Sequence, residues 1–331
     1  MLALITGATG LVGGTLARQW LTSGLRTPGD IQVRAFVRDP RSAASRALEI
    51  LGAEIVPGDL LDPAKFMTAC AGCQMVLHAA SDTRLSSRRN TWAVGVEATR
   101  LLFGAARAAG AERFVFTSSL AVYGGTDGEL NEEVEPLPWG ELYGDAKTAA
   151  ERSLRQAAHA EGPMLFILRL GSVYGPGCRG WTERPLQQAR RGRLFIPGDG
   201  GFPLPYLYVD NMAEAVTVAA RSSRPGTYDI FDGVATFGGF MQNYARIAGT
   251  RLRSVPFPAL MAWAAMSELF ARLTGGYSRL NLRVVRRLRL LSRSRHHARR
   301  PERAIRELGW SPRVSLDEGM RRIEERASSA E

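Results

Sequence analysis

The sequence predicts an α/β fold, a doubly wound parallel sheet with a smaller, mostly helical C-terminal lobe. Three observations carry that expectation. Residues 1–175 alternate short apolar runs with longer amphipathic stretches, the pattern of strand–helix–strand units. The first apolar run enters a glycine-rich turn, Thr6-Gly-Ala-Thr-Gly-Leu-Val-Gly13. Beyond Phe237 the strand signals fade and arginine-rich helical patterns take over.

Taken in order, the strands are expected at Leu2–Thr6, Gln32–Val37, Glu54–Pro57, Met75–His78, Arg113–Thr117 and Leu165–Leu170. Helices are expected between them at Leu11–Ser23, Ser42–Leu51, Pro63–Cys70, Trp92–Ala109 and Tyr143–Ala160. Right-handed crossovers then bring the carboxyl ends of the strands, and the ligand crevice, to one edge of the sheet. Gly171–Pro205 is rich in Gly, Pro and Arg, with one short helix near Arg184–Arg191. Tyr206–Ala220 starts as a strand, continues as a helix and is expected to rejoin the core, followed by a strand at Thr227–Phe231. The expected core is therefore 1–175, rejoined by about 206–235, with 176–205 and 236–331 forming a substrate-binding lobe.

Composition narrows the function classes. At 331 residues and 45% hydrophobic content the chain can bury a large core. No secretory or transit pattern precedes the first strand, and the apolar stretch Val255–Ser267 is too short to span a bilayer before Glu268 interrupts it. The expected location is cytoplasmic. Cys70 and Cys73 form a lone CxxC with no second pair, which reads as structural, and no metal site is expected. The net charge is +11, yet all but two of the 43 basic residues are arginine, and no nucleic-acid-binding motif accompanies them. The densest run, Arg279–Arg303, reads as a solvated helical face. Its functional alternatives are attraction of an anionic substrate carrier or peripheral contact with an acidic membrane.

The glycine turn spaces Gly7, Gly10 and Gly13 so that backbone can approach a pyrophosphate, whose charge the following helix N-terminus favours. A second constellation lies downstream. Thr117-Ser118-Ser119 closes the fifth strand, and Tyr143-Gly-Asp-Ala-Lys147 opens the helix after it. Four-residue spacing puts Tyr143 and Lys147 on one helix face, within reach of a strand-end serine. The three groups are those that carbonyl reduction needs. A Tyr hydroxyl gives a proton to the developing alkoxide, and a Ser hydroxyl holds the substrate oxygen. A nearby ammonium is expected to lower the Tyr pKa from about 10 towards neutrality.

In these pieces the chain resembles the extended short-chain dehydrogenase/reductases, that is, the NAD-dependent epimerase/dehydratase superfamily. In pattern it is similar to 3β-hydroxysteroid dehydrogenase and dihydroflavonol reductase-like members. Further matching pieces are Gly58-Asp-Leu60, His78-Ala-Ala80, Val173-Tyr-Gly-Pro-Gly177, Tyr208-Val-Asp-Asn211 and Glu307-Leu-Gly-Trp-Ser-Pro312. The resemblance implies a Rossmann-type core with Ser119, Tyr143 and Lys147 as catalytic residues. It also implies a cofactor site built from Gly7, Thr9, Gly10, Leu11, Val12, Gly13, Asp59, Leu60, Ala79, Ala80, Thr117, Tyr143 and Lys147. A homodimer through the helices at Trp92–Ala109 and Tyr143–Ala160 is a further expectation of the resemblance.

Arg38, at the end of the second strand, selects between coenzymes. A carboxylate there receives the adenosine ribose of NAD, whereas a guanidinium suits a 2′-phosphate, so NADP(H) is favoured over NAD(H). Asp39 next to it offers the alternative ribose carboxylate. Two activities compete: interconversion of a ketone and a secondary alcohol on a small, bulky or apolar substrate, or nucleotide-sugar epimerisation or dehydration with retained NAD. Ser172 stands where many sugar-nucleotide enzymes carry Asn, which favours the first. The segment Pro256–Met266, with Trp263 in it and Phe270 nearby, offers a wall for a greasy pocket or a packed amphipathic helix. A last departure is Gly95-Val-Glu-Ala-Thr99, where the superfamily often has Asn-Val-x-Gly-Thr.

Overall fold

The computed structural model describes residues 1–22, 31–82, 87–125, 131–158, 162–274, 278, 281–291 and 300–329. Its first half alternates β1 (Leu2–Thr6), α1 (Leu11–Thr22), β2 (Gln32–Val37), α2 (Ala43–Ile50), β3 (Glu54–Pro57), α3 (Ala64–Cys70) and β4 (Met75–His78). There follow α4 (Arg88–Trp92), α5 (Ala98–Ala108), β5 (Arg113–Ser119), α6 (Leu142–Ala157) and β6 (Met164–Leu170). The second half holds β7 (Ser172–Tyr174), α7 (Arg184–Arg190), β8 (Phe195–Pro197), β9 (Pro203–Tyr208), α8 (Val209–Arg221), β10 (Gly226–Ile230) and β11 (Gly233–Thr236). It closes with α9 (Phe237–Ile247), β12 (Arg253–Val255), α10 (Phe257–Thr274), α11 (Leu282–Leu291), a short helix at Ala304–Leu308 and α12 (Leu316–Ser328).

Seven strands form one sheet in the order β10-β6-β5-β4-β1-β2-β3, every pairing parallel. Alternate side chains of each strand enter cores on opposite faces, as the period of two requires. Ala3, Ile5, Val33, Ala35, Met75, Leu77 and Val115 pack on one side with Leu16, Ala17 and Trp20 of α1 and Ala213 and Val216 of α8. Leu4, Phe36, Val76, Phe114 and Phe116 pack on the other with Phe66 of α3, Leu102 and Phe103 of α5 and Leu154 of α6. Strand order reverses between β1 and β4, so the crevice opens at their carboxyl ends, where Gly7 and Ala79 follow.

Cys70 and Cys73 are buried, unpaired thiols in the second core, and burial pushes Cys70 up to about 12. Among the described residues no group of three or more His, Cys, Asp or Glu is placed to hold a metal.

Several boundaries differ from the sequence expectation. β5 runs two residues further, to Ser119. The expected helix at Trp92–Ala109 begins at Arg88, capped by the Ser87 hydroxyl on Asn90 N at 3.0 Å, and widens over Ala93–Glu97 before α5. The strand at Pro203–Tyr208 does not rejoin the core sheet: it pairs with β7 and β11 in a separate three-stranded sheet. Only the helix after it returns, where Trp20 Nε1 of α1 donates to Thr217 Oγ1 at 2.9 Å. The ends of the helices expected at Leu11–Ser23 and Tyr143–Ala160, and part of the Arg279–Arg303 run, lie outside the described residues.

Two family-like strings prove to be one joint. Asn211 at the start of α8 accepts from Arg313 N at 3.1 Å and Val314 N at 3.0 Å, and donates to Val314 O at 2.8 Å. Trp310 is fully enclosed just upstream. The chain after the α10–α11 region is thereby fastened back onto the helix that touches the core.

Candidate active site

The glycine turn is shaped for close approach. Gly7 sits at φ +69°, and a Cβ there would lie 2.7 Å from Ala80 N and 2.9 Å from the Ala79 carbonyl carbon. A Cβ at Gly13 would lie 2.5 Å from Gly7 O, and one at Gly10 would lie 3.1 Å from the same atom. No side chain fits inside this turn, so the ends of β1 and β4 and the first turn of α1 press together. Gly10 N donates to Gly7 O at 2.8 Å, which leaves the next amides at the head of α1 facing the crevice mouth, where Thr9 and Gly10 are exposed and Leu11 and Val12 half-buried. This cradle, filled by any Cβ, suits a dinucleotide pyrophosphate.

The remaining sequence-predicted residues ring the same edge. Arg38 is exposed at the end of β2. Asp39 is committed locally: its carboxylate accepts from Arg41 N at 2.9 Å and its carbonyl from Ser45 Oγ at 2.7 Å. Asp59 turns its carboxylate onto Leu61 N at 2.9 Å, while Leu60 is buried beside it. Ala79 and Ala80 are half-buried, and Thr117 is buried with its hydroxyl on His78 O at 3.3 Å.

Ser119, Tyr143 and Lys147 meet between the end of β5 and the first turns of α6. The Ser119 hydroxyl lies near enough to the Tyr143 hydroxyl to favour its ionised form, and its Oγ accepts from Ala121 N at 3.2 Å. Lys147 is buried and donates to Thr117 O at 2.7 Å, with its ammonium 4.5 Å from the Phe116 ring centroid. Two carboxylates fix the start of α6. Glu141 accepts from Tyr143 N at 3.0 Å and Gly144 N at 2.7 Å, while Asp145 accepts from Trp139 N at 2.8 Å and Gly140 N at 3.1 Å. Trp139 lies against Gly124 and Gly144, where added Cβ atoms would come within 2.3 Å and 2.8 Å of its indole.

The electrostatics correct one expectation. Tyr143 is not drawn towards neutrality: burial pushes it up to about 12, against the opposing effect of the Ser119 hydroxyl. Lys147 does not offset this, because its ammonium is turned onto the Thr117 carbonyl and stands 5.9 Å from the Tyr143 ring centroid. Burial instead lowers Lys147 to about 8, with Glu151 holding it up.

Sequence reasoning missed the groups behind these three. The buried His78 ring bonds Thr6 Oγ1 at 2.6 Å and Thr99 Oγ1 at 2.8 Å, and burial, with Lys147 nearby, lowers it to about 3. It ties β1, β4 and α5 together with an uncharged ring. Thr99 in turn donates to Gly95 O at 2.8 Å, so the departure from the usual Asn-Val string falls in the widened turn, one bond from His78. Ser118 donates to Glu151 Oε1 at 2.5 Å. Neither expectation for the apolar segment, a pocket wall or a packed helix face, describes Trp263 and Phe270, which are 59% and 68% exposed.

The comparisons with known proteins agree with this geometry. The model of the NAD dependent epimerase/dehydratase family matches residues 3–231. The chain is 30% identical to a 2-alkyl-3-oxoalkanoate reductase of Stenotrophomonas maltophilia, with all of both chains covered. It is 29% identical to a 3β-hydroxysteroid-dehydrogenase/decarboxylase of Arabidopsis thaliana over 81% of its length, spanning 51% of that longer protein. In fold it is similar to DesIV, a dTDP-glucose 4,6-dehydratase of Streptomyces venezuelae solved with NAD, at TM-score 0.78 and 20% identity, covering 99% and 97% of the two chains. The matched span takes in the doubly wound sheet from Ala3 of β1 to the end of β10, with the glycine cradle at its switch point, and the chain belongs to the NAD dependent epimerase/dehydratase family.

Proposed function

We propose that this protein is a reductase that interconverts a ketone and a secondary alcohol on a bulky or apolar substrate, taking NADP(H) in preference to NAD(H). The observation that carries the reading is the convergence of Ser119, Tyr143 and Lys147 at the crevice beside a glycine cradle with no room for side chains. A bound nicotinamide coenzyme supplies the two-electron chemistry. The Gly7–Gly13 turn would hold its pyrophosphate, and Arg38, exposed at the end of β2, would take a 2′-phosphate.

The chain's own groups then do the acid–base work. Ser119 holds the substrate oxygen, and Tyr143 delivers its proton to that oxygen as negative charge develops. A phenol raised to about 12 keeps its proton at neutral pH, which suits the reductive direction. Lys147, anchored on Thr117 O, sets a positive charge beneath the site and stands ready to return a proton. The substrate class rests on the two relatives named above, a reductase of alkyl oxoalkanoates and a hydroxysteroid dehydrogenase/decarboxylase.

The test is turnover of NADPH with a panel of long-chain β-keto acids, ketosteroids and sugar nucleotides, by the protein and by Tyr143→Phe. The reading expects reduction of at least one apolar ketone and a loss of about 10²–10⁴-fold in Tyr143→Phe, with coenzyme affinity retained. Turnover of sugar nucleotides alone, or an unimpaired Tyr143→Phe, contradicts it.

A further inference from the structure

The α10–α11 hairpin stands apart from the main cores. It has a small core of its own, Leu260, Ala264 and Val285, with Met261 and Leu282 packed against it. What it leaves outside is unusual. Trp263, Met266, Leu269, Phe270 and Leu273 are 59%, 65%, 60%, 68% and 77% exposed, and their spacing of three and four residues lines them along α10. A soluble surface does not ordinarily leave five large apolar side chains on one helix in water. Of the two charged residues in α10, Glu268 is half-buried and spends its carboxylate on Leu282 N at 2.8 Å. Alongside, α11 buries Val284 and Val285 and exposes Arg283, Arg286 and Arg289.

We propose that this hairpin is a monotopic membrane-binding surface, with the apolar side of α10 seated in the interface of a bilayer containing anionic lipid and the α11 arginines on its headgroups. The charge complementarity decides the occupant. An apolar helix beside an arginine-bearing one matches a hydrocarbon boundary beneath anionic headgroups, where Trp, Phe and Leu insert and Arg stays at the polar level. Among the described residues no helix is long and apolar enough to cross a membrane, so the contact lies on the bilayer and does not span it.

The placement gives the surface a use. Asn281, at the head of α11, donates to Gly140 O at 3.1 Å, and Arg283 packs against Gly140, three residues before Tyr143. The docked face therefore adjoins the loop that leads into the reaction site, which, on the apolar substrate proposed above, would bring that site close to the membrane that dissolves it.

The test is flotation of the full chain with vesicles of phosphatidylcholine alone and of phosphatidylcholine with phosphatidylglycerol, alongside Leu269→Glu/Phe270→Glu and Arg286→Glu. Both sites are exposed, so the variants keep the fold, checked by circular dichroism. The expected result is flotation with anionic vesicles, its loss in the double variant, and binding weakened about fivefold or more by Arg286→Glu on anionic vesicles only. No flotation of the unaltered chain, or flotation that the double variant retains, overturns the proposal. So does a dimer in light scattering that the double variant dissolves while vesicles capture nothing, since the face then belongs to a second copy.

Discussion

Glu151 and Arg169 form an ion pair sealed from solvent, with Arg169 Nη2 2.8 Å from Glu151 Oε2 and neither side chain exposed. The pair lies one helical turn beyond Lys147 and directly behind Ser118, whose hydroxyl it takes at 2.5 Å. On its other side the guanidinium bonds the Tyr123 hydroxyl, which reaches both carboxylate oxygens of Asp229, at 3.1 and 3.0 Å. β5, β6, α6 and β10 are thus tied together beneath the reaction site by a charged network as well as by the apolar cores they share.

Breaking this pair leaves the buried guanidinium only Asp229, 4.0 Å away, as a countercharge. Glu151→Gln is expected to cost about 3–5 kcal/mol in urea unfolding, whereas Ser118→Ala, which removes one bond to the same carboxylate, costs about 1 kcal/mol. Equal losses from the two changes would show that the pair is not the keystone.

The glycine turn makes a sharper comparison. Gly7→Ala is strained at φ +69° and drives its methyl into Ala80 N at 2.7 Å, so coenzyme binding and cooperative unfolding are expected to fail together. Gly110 has φ +75° with nothing within 4 Å of an added Cβ. Gly110→Ala therefore pays only the left-handed strain of about 1–2 kcal/mol and leaves coenzyme titration unchanged.

His78 predicts a pH dependence. Its folded pKa, about 3, lies below the ordinary 6.5, so between those values the unfolded chain binds a proton that the folded chain refuses. Its contribution to stability is present above pH 6.5 and is lost as pH falls towards 3. Imidazole NMR resonances of His78 should show no titration step at 6.5. A step there would mean that the ring is not sealed between Thr6 and Thr99.

Much of this was legible in the residues. All seven core strands, including the one expected at Thr227–Phe231 and found at Gly226–Ile230, and the Ser119–Tyr143–Lys147 spacing follow from apolar runs and a four-residue helical repeat, both local properties. The strands β7, β8, β11 and β12 were not legible, because three or four residues among Gly and Pro are too few to show alternation. Nor was the state of the groups: Tyr143 at about 12 and Lys147 at about 8 are set by burial, which only the folded chain defines. His78 went unremarked because it sits inside a string read for Ala79 and Ala80, and Glu151 because one carboxylate on a long helix gives no sign that it is buried. Trp263 and Phe270 read as a pocket wall or a packed helix face, because amphipathic spacing does not say whether the apolar face is covered.

The most direct test is titration of the purified protein with NADPH and with NADH, after assaying for coenzyme already bound, with Arg38→Ser in parallel. The account predicts an exchangeable site that prefers NADPH, with NADPH affinity falling about 10–100-fold in Arg38→Ser and NADH affinity unchanged. Tightly retained NAD, or a preference that Arg38→Ser leaves intact, would contradict it.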